Sequence, residues 1–271
     1  MNLSKWLAGP MVACVCASPG LAEEFKDTEV IALPAGSFTR GCTENAQTLG
    51  DLCDWDTYPA RTIHLSAFEI DKYPVTFRRY NECYKENVCG ELYAQGGCNW
   101  KQPDSDNLPV NCISWKQAKE YCEWEGRRLP TEAEWEKTAR GTDNRIYPWG
   151  EEEPSCKRAI MNQKTDETTM GPGCGAGTTQ AVDSRPEGQS PDGVMDMVGN
   201  VWEWVSDWYG KFYYSTSTDT DPKGPIIGQK RSIRGGDWLA KKSYELNAIV
   251  RSNYDPLSSG YVVGFRCAKS R

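Results

Sequence analysis

The sequence predicts one compact domain over about residues 25–271, built of short strands and short helices between many turns and crosslinked by disulfides. Three observations lead there. The chain carries 12 cysteines and 11 tryptophans in 271 residues. Its hydrophobic runs are short, and Gly, Pro and Asn break them repeatedly, above all after residue 142. No linker, low-complexity tract or internal repeat divides it. Tryptophans supply large buried areas where long ladders are missing, and disulfides supply crosslinks. The net charge of −7 speaks against a nucleic-acid partner, which needs a basic stripe. No apolar run approaches the length of a transmembrane segment. The single histidine, His64, excludes mechanisms that need two.

Residues 1–22 have the pattern of an export signal. Lys5 provides the positive start, Trp6 to Ala17 a short apolar stretch, and Gly20-Leu21-Ala22 a small-x-small cleavage site. Cleavage after Ala22 removes Cys14 and Cys16 and leaves ten cysteines, an even number in a compartment where disulfides persist. The expected location is therefore periplasmic or secreted. A lipoprotein with Cys14 lipidated is the rival; Met11-Val12-Ala13 is a poor approach for it, and Cys16 would be left as an odd thiol.

In chain order, Val30 to Phe38 reads as strand, Pro34-Ala35-Gly36 turn, strand. Thr62 to Leu65 alternates like a strand with one wet face, and Phe68 to Ile70 is another strand. Thr76 can cap a helix presenting Phe77, Tyr80, Cys83 and Tyr84 on one face. Ser114 caps a second, with Trp115, Ala118, Tyr121 and Cys122 as its apolar stripe. Thr131-Glu132-Ala133-Glu134 is a capping box opening a third, in which Trp135 and Ala139 face inward and Gly141 is a left-handed stop. Cysteine spacing suggests the local pairs Cys42–Cys53, Cys83–Cys89, Cys98–Cys112 and Cys156–Cys174. Structural zinc would want closely spaced pairs, and none exists. Gly171 to Gly177 is glycine-dense, but no apolar strand precedes it and no helix follows, so it is no dinucleotide loop.

Several segments, in order along the chain, resemble the formylglycine-generating enzyme (sulfatase-modifying factor) family. They are Leu33 to Phe38, Phe68 to Thr76, Pro109 to Trp115, Gly126 to Glu136, Tyr147 to Gly150, Asp196 to Trp204, Arg234 to Trp238, and Gly264 to Cys267. The resemblance implies a single α+β domain similar to C-type lectins, with little regular secondary structure. It also suggests a fifth disulfide, Cys122–Cys267. In that family an O₂-dependent oxidation uses Cu(I) held by two cysteine thiolates a few residues after the Arg-Gly-Gly motif, soft ligands for a soft ion. The corresponding stretch here, Leu239 to Leu246, has no cysteine, nor does any position between Cys174 and Cys267. No copper is expected. Branches resembling sulfoxide synthases hold iron with several histidines, which one His64 cannot supply; His64 itself reads as a structural residue on a strand face.

The resemblance further implies one Ca²⁺ around the Gly-Asn-x-Trp-Glu-Trp loop, with Asp196, the carbonyls of Gly199 and Val201, and Glu203 as hard oxygen ligands. A second family calcium site, between Cys156 and Thr179, has no clean acidic ligand, and the Cys156–Cys174 bridge stands in its place. Candidate groove residues are Trp202, Asp237 and Glu245. The expected function is that of a pseudoenzyme whose groove binds a peptide, glycan or small molecule. An oxidase resembling pyoverdine-maturation proteins is the alternative, and a formylglycine-generating oxidase comes third.

Overall fold

The computed structural model describes residues 27–44, 46, 53–94, 96–164, 169–241 and 243–271. The export signal, with Cys14 and Cys16, lies outside these. Four small sheets and three short helices of nine or ten residues carry the fold. β1 (Val30–Leu33) and β2 (Gly36–Arg40) do not pair with each other across the Pro34 turn. β1 joins β4 (Phe68–Asp71), which also pairs with β11 (Ala268–Ser270), so the two ends of the domain share one sheet. β2 pairs with β3 (Arg61–Leu65).

The three helices begin where their caps predict. In α1 (Phe77–Lys85) the Thr76 hydroxyl accepts from the Arg79 amide. α2 (Trp115–Trp124) and α3 (Glu132–Arg140) each open with a full capping box, Ser114 with Gln117 and Thr131 with Glu134. Gly141 ends α3 at φ 63° and ψ −141°. That is positive φ without the left-handed helical ψ expected for it, and Pro191 packs where a Cβ would stand.

The largest departure from the sequence reading comes after residue 142. Trp202 to Trp204, expected as part of an ion-binding loop, open β7 (Trp202–Trp208), the longest strand among the described residues. It sits inside a sheet ordered β10 (Val263–Phe265), β7, β8 (Arg231–Arg234), β9 (Arg251–Tyr254), with β10 parallel to β7 and the others antiparallel. Only the turn 196–201 before it is irregular. Two further short strands, β5 (Gln163–Lys164) and β6 (Thr169–Gly171), form a small ribbon.

One apolar cluster packs α1 and α2 against this sheet through Tyr80, Trp100, Tyr121, Trp204 and Phe265. A second packs Trp135 and Ala139 of α3 against Ile63, Phe68, Ile70 and Val205. The five disulfides among the described residues are Cys42–Cys53, Cys83–Cys89, Cys98–Cys112 and Cys156–Cys174, the pairs the spacing suggests, and Cys122–Cys267, the pair the family resemblance implies.

Candidate functional site

The three candidate groove residues come from separate elements and are brought together by the Arg-Gly-Gly turn. Trp202 opens β7, Asp237 follows β8, and Glu245 closes a single 3₁₀ turn, Ser243–Glu245. Gly236 has φ 76°, and a Cβ there would lie 2.4 Å from the Glu245 carbonyl oxygen. Only glycine lets the two strands of the loop approach so closely, and that approach sets Glu245 beside Asp237. Asp237 Oδ1 accepts from the Leu239 amide at 2.6 Å. Burial pushes the Asp237 carboxyl above its ordinary pKa; the Leu239 amide and the Trp202 indole pull it back, and the Glu245 charge adds to the rise. Glu245 Oε2 accepts from the Lys241 amide at 2.8 Å. Trp238 is buried, its ring lies 6.0 Å from that of Tyr261, and its indole N–H has no acceptor among the described residues.

The loop is clamped at both ends by a buried charge network. Arg234 donates to Glu132 Oε1 at 3.2 Å and Glu136 Oε2 at 3.1 Å on one side, and to the carbonyls of Ala248, Ile249 and Val250 on the other. Arg251 completes it with two bonds to Glu132. Every residue of α3 is buried, its glutamates and Arg140 included. Sequence reasoning read these as ordinary helix residues. The signal that could have found them is their spacing: Glu132, Glu136 and Arg140, four apart, fall on the side of the helix that holds Ala133, Trp135 and Ala139, and charged residues facing the core need partners.

The candidate metal residues lie in the turn entering β7. Asp196 and Asn200 both have positive φ, 54° and 62°. The turn is docked on the groove loop, because the Gly199 amide donates to the Gly235 carbonyl and the Trp238 amide to that of Asn200. Asp196 is buried and its Oδ2 has no partner among the described residues. Burial pushes its pKa up to about 8, with Arg266 opposing and Glu203 reinforcing the rise. Glu203 points inward from β7. Its Oε1 accepts from Arg266 at 2.6 Å, and its Oε2 from Arg266 at 2.7 Å and the Trp135 indole at 2.9 Å. So Asp196 has an uncompensated oxygen, whereas Glu203 is already balanced by an arginine.

Other polar constellations are self-contained. Asp71, Glu125 and Cys267 converge within 4.8 Å. Cys267 is bonded to Cys122, however, and the carboxylates are held by Arg79 and Arg127. A cavity of about 530 Å³ is lined by Ser66, Arg128, Thr131, Glu134, Asp221 and Ser270 among others. Arg128 grips Glu134 with two bonds, and Ser66 gives both its donors to Asp221. None of the predicted site residues lines it. His64 lies on β3 with Nδ1 3.3 Å from the Ser37 hydroxyl at the surface.

The chain matches the sulfatase-modifying factor enzyme 1-like domain over residues 17–271. The chain belongs to this sulfatase-modifying factor family. It is 33% identical to a formylglycine-generating enzyme of Streptomyces coelicolor, over 97% of this chain and 96% of that protein. It is 32% identical to the mouse formylglycine-generating enzyme, over 89% of this chain and 75% of that one. Among solved structures, PvdO from Pseudomonas aeruginosa superimposes with a TM-score of 0.73 at 25% identity, covering 94% of this chain and all of that one. The family fold, mixed helix and sheet with little regular structure and many disulfides, is thus the fold of this chain.

Proposed function

We propose that this chain is an exported member of the sulfatase-modifying factor family that binds a peptide, glycan or small molecule in the groove at Trp202, Asp237 and Glu245, without copper-thiolate oxidation. One observation carries the reading. The ten cysteines after residue 22 are spent in five disulfides, and residues 175–266 contain none. The groove loop therefore offers carboxylates where the family's enzymes place soft thiolates. The free indole N–H of Trp238 supports ligand binding there, because a buried donor without an acceptor is costly unless something fills the place. The test is direct. Purified protein given Cu(I) and a Cys-x-Pro-x-Arg peptide is expected to retain no stoichiometric copper and to leave the peptide mass unchanged. Conversion of the peptide cysteine would overturn the reading.

A second reading, an oxidase of the pyoverdine-maturation type, is favoured by the likeness to PvdO along nearly the whole chain. O₂ uptake by the purified protein with a siderophore chromophore precursor would put this reading first.

The same proposal includes one Ca²⁺ at the 196–203 turn, held by Asp196, the carbonyls of Gly199 and Val201, and Glu203. The donor set fits. All four are hard oxygens, and the buried Asp196 Oδ2 has no partner among the described residues, so a cation there would hold its carboxyl ionised against the rise that burial imposes. Glu203 accepts three hydrogen bonds, so about one of its four lone-pair positions is left for an ion. The ion would fix the turn, and through the Gly235 and Trp238 bonds the turn fixes the groove loop. Ca²⁺ at about 100 times its Kd adds about 2.7 kcal/mol, a Tm rise of roughly 5–10 °C at this size. Chelation is expected to reverse that rise and change Trp fluorescence, with recovery on Ca²⁺ and poor recovery on Mg²⁺. Asp196→Asn should abolish the response and Glu245→Gln should keep it. An identical Tm with and without added Ca²⁺, in protein first shown to be calcium-free, would reduce these carboxylates to turn residues.

A further inference from the structure

The connection between β7 and β8, residues 209–230, carries two of the three most exposed large apolar side chains among the described residues. Ile226 and Ile227 are 97% and 83% exposed, and they adjoin each other between Pro225 and Gly228. Two adjacent aliphatic residues both standing free of the protein mark a protruding tip, since a loop lying on the surface would cover one of them. The start of the same connection lies beside its end. A Cβ on Gly210 would meet the Pro225 ring at 2.6 Å, and the Gly224 amide donates to the Tyr213 hydroxyl at 3.1 Å. Phe212, 68% exposed, is thus carried on the segment that packs against Pro225, the residue before the isoleucines. Its ring leans on Trp55, itself half exposed, at 5.8 Å.

Around this apolar tip stand three lysines. Lys211 rests its ammonium over the Trp55 ring at 3.8 Å, Lys223 precedes the Pro225 corner, and Lys230 follows the tip. None of the three takes part in a salt bridge among the described residues. The carboxylates nearby are mostly committed elsewhere. Asp219 is paired with Arg61 and Asp56 with Tyr209; Asp221 accepts from Ser66 while also attracting Lys223, Asp207 beside Gly224 is buried, and Asp54 precedes Trp55.

We propose that this tip is a membrane-docking wedge: Ile226, Ile227 and Phe212 enter the interface of an anionic bilayer, Trp55 sits at headgroup level, and Lys211, Lys223 and Lys230 meet the lipid phosphates. The chemistry fits a lipid surface better than a second protein. The exposed apolar side chains present on the order of 500 Å², the size of the largest patch on ordinary monomers, against about 800 Å² that each partner of a stable complex covers. A protruding pair flanked by cations suits a boundary whose apolar depth is about 5–10 Å and whose outer layer is negative. Tryptophan has the amphipathic ring favoured at that level. The chain's net charge of −7 opposes approach to such a membrane as a whole. Screening over about 8 Å at physiological salt leaves the local lysines to decide the orientation of contact.

The experiment is co-sedimentation of the mature chain with vesicles of mixed phosphatidylglycerol and phosphatidylcholine, and with vesicles of phosphatidylcholine alone. Binding is expected to the anionic vesicles, to weaken as salt is raised, and to be far lower on the neutral ones. The double variant Ile226→Asp/Ile227→Asp should lose roughly tenfold or more of that binding at an unchanged Tm, because both side chains are free of the fold. Lys211→Glu/Lys230→Glu should lose a similar factor. Lys116→Glu/Lys119→Glu, the same change of charge on the exposed face of α2, should keep wild-type binding. The proposal is overturned if the wild type ignores anionic vesicles, if the isoleucine variant binds them as well as wild type does, or if the α2 variant falls as far as the patch variant. It is also overturned if sedimentation without lipid shows a dimer that the isoleucine variant disperses while vesicles stay unbound, which would assign the tip to a second copy of the chain.

Discussion

Reduction of the five disulfides is expected to unfold the protein, and the bridge between α2 and the C-terminal end should dominate the loss. Cys122 and Cys267 are 145 residues apart, whereas the other four bridges span 6 to 18. Loop-closure entropy in the unfolded chain gives about 5 kcal/mol for the long loop and roughly 2–3 kcal/mol for each short one. A domain of this kind has about 5–15 kcal/mol in all. Losing the five together exceeds or consumes that margin. Cys122→Ala/Cys267→Ala should therefore lower stability about twice as far as Cys83→Ala/Cys89→Ala, read as the change in denaturation midpoint at constant slope. Both bridges lie in the same apolar cluster, so the packing change is comparable and the difference reports the loop. Equal losses from the two pairs would mean that the bridges act through local packing. Native protein whose cysteines alkylate without reductant would contradict the pairing itself.

How much of this was legible in the sequence follows from the range of the interactions. Helix starts were legible because a cap is a contact over three residues. Thr76, Ser114 and Thr131, the caps the sequence predicts, each accept from the amide three residues on. The local cysteine pairs were legible for the same reason, and the long one through family resemblance. The four-stranded sheet was not. β7 finds β10 some 60 residues later, and its sequence, Trp202-Glu203-Trp204-Val205-Ser206-Asp207-Trp208, puts charges at inward positions. Glu203 can face the core only because Arg266, on the segment after β10, reaches it. A charge in a strand reads as exposed until its partner is known, and that partner is fixed by the tertiary fold. The motif marks the turn before β7 but does not distinguish the start of the strand, Trp202 to Trp204, from that turn's continuation. The groove residues were found by position in the motif. Their meeting depends on Gly236 touching the Glu245 carbonyl, a contact across nine residues that no periodicity announces.

The buried network behind the groove loop carries the second large prediction, at Glu136. Its side chain is fully buried and accepts four hydrogen bonds: Oε1 from the Gly41 amide at 2.7 Å and Arg140 at 3.0 Å, Oε2 from the Tyr214 hydroxyl at 2.9 Å and Arg234 at 3.1 Å. Burial alone would push its carboxyl up, but Arg234, Arg140 and the Gly41 amide hold it below the ordinary value. Glu132 behaves the same way: burial raises it, and Arg251 and Arg234 bring it down to about 2. Removing one member leaves the other charges buried and unpaired. Glu136→Ala should therefore destabilise by about 3–5 kcal/mol, more than its loss of apolar contact explains. Glu136→Gln keeps the shape, loses the charge and turns an NH₂ toward donors, so it should fall between alanine and wild type. The pH dependence has a definite sign. A carboxyl held lower in the folded than in the unfolded state stabilises above its unfolded value, and that stability is lost as pH falls toward the folded one. Wild type should weaken as pH drops from about 4.5 toward about 2, and Glu136→Gln should show a shallower slope there. Because Arg234 also ties down residues 248–250, the alanine variant should disturb the far end of the groove loop. Faster amide exchange at residues 237–250 under conditions that keep the rest folded would report it. An alanine variant as stable as wild type, with the same acid limb, would mean that water solvates these arginines and that the network is not what holds the loop.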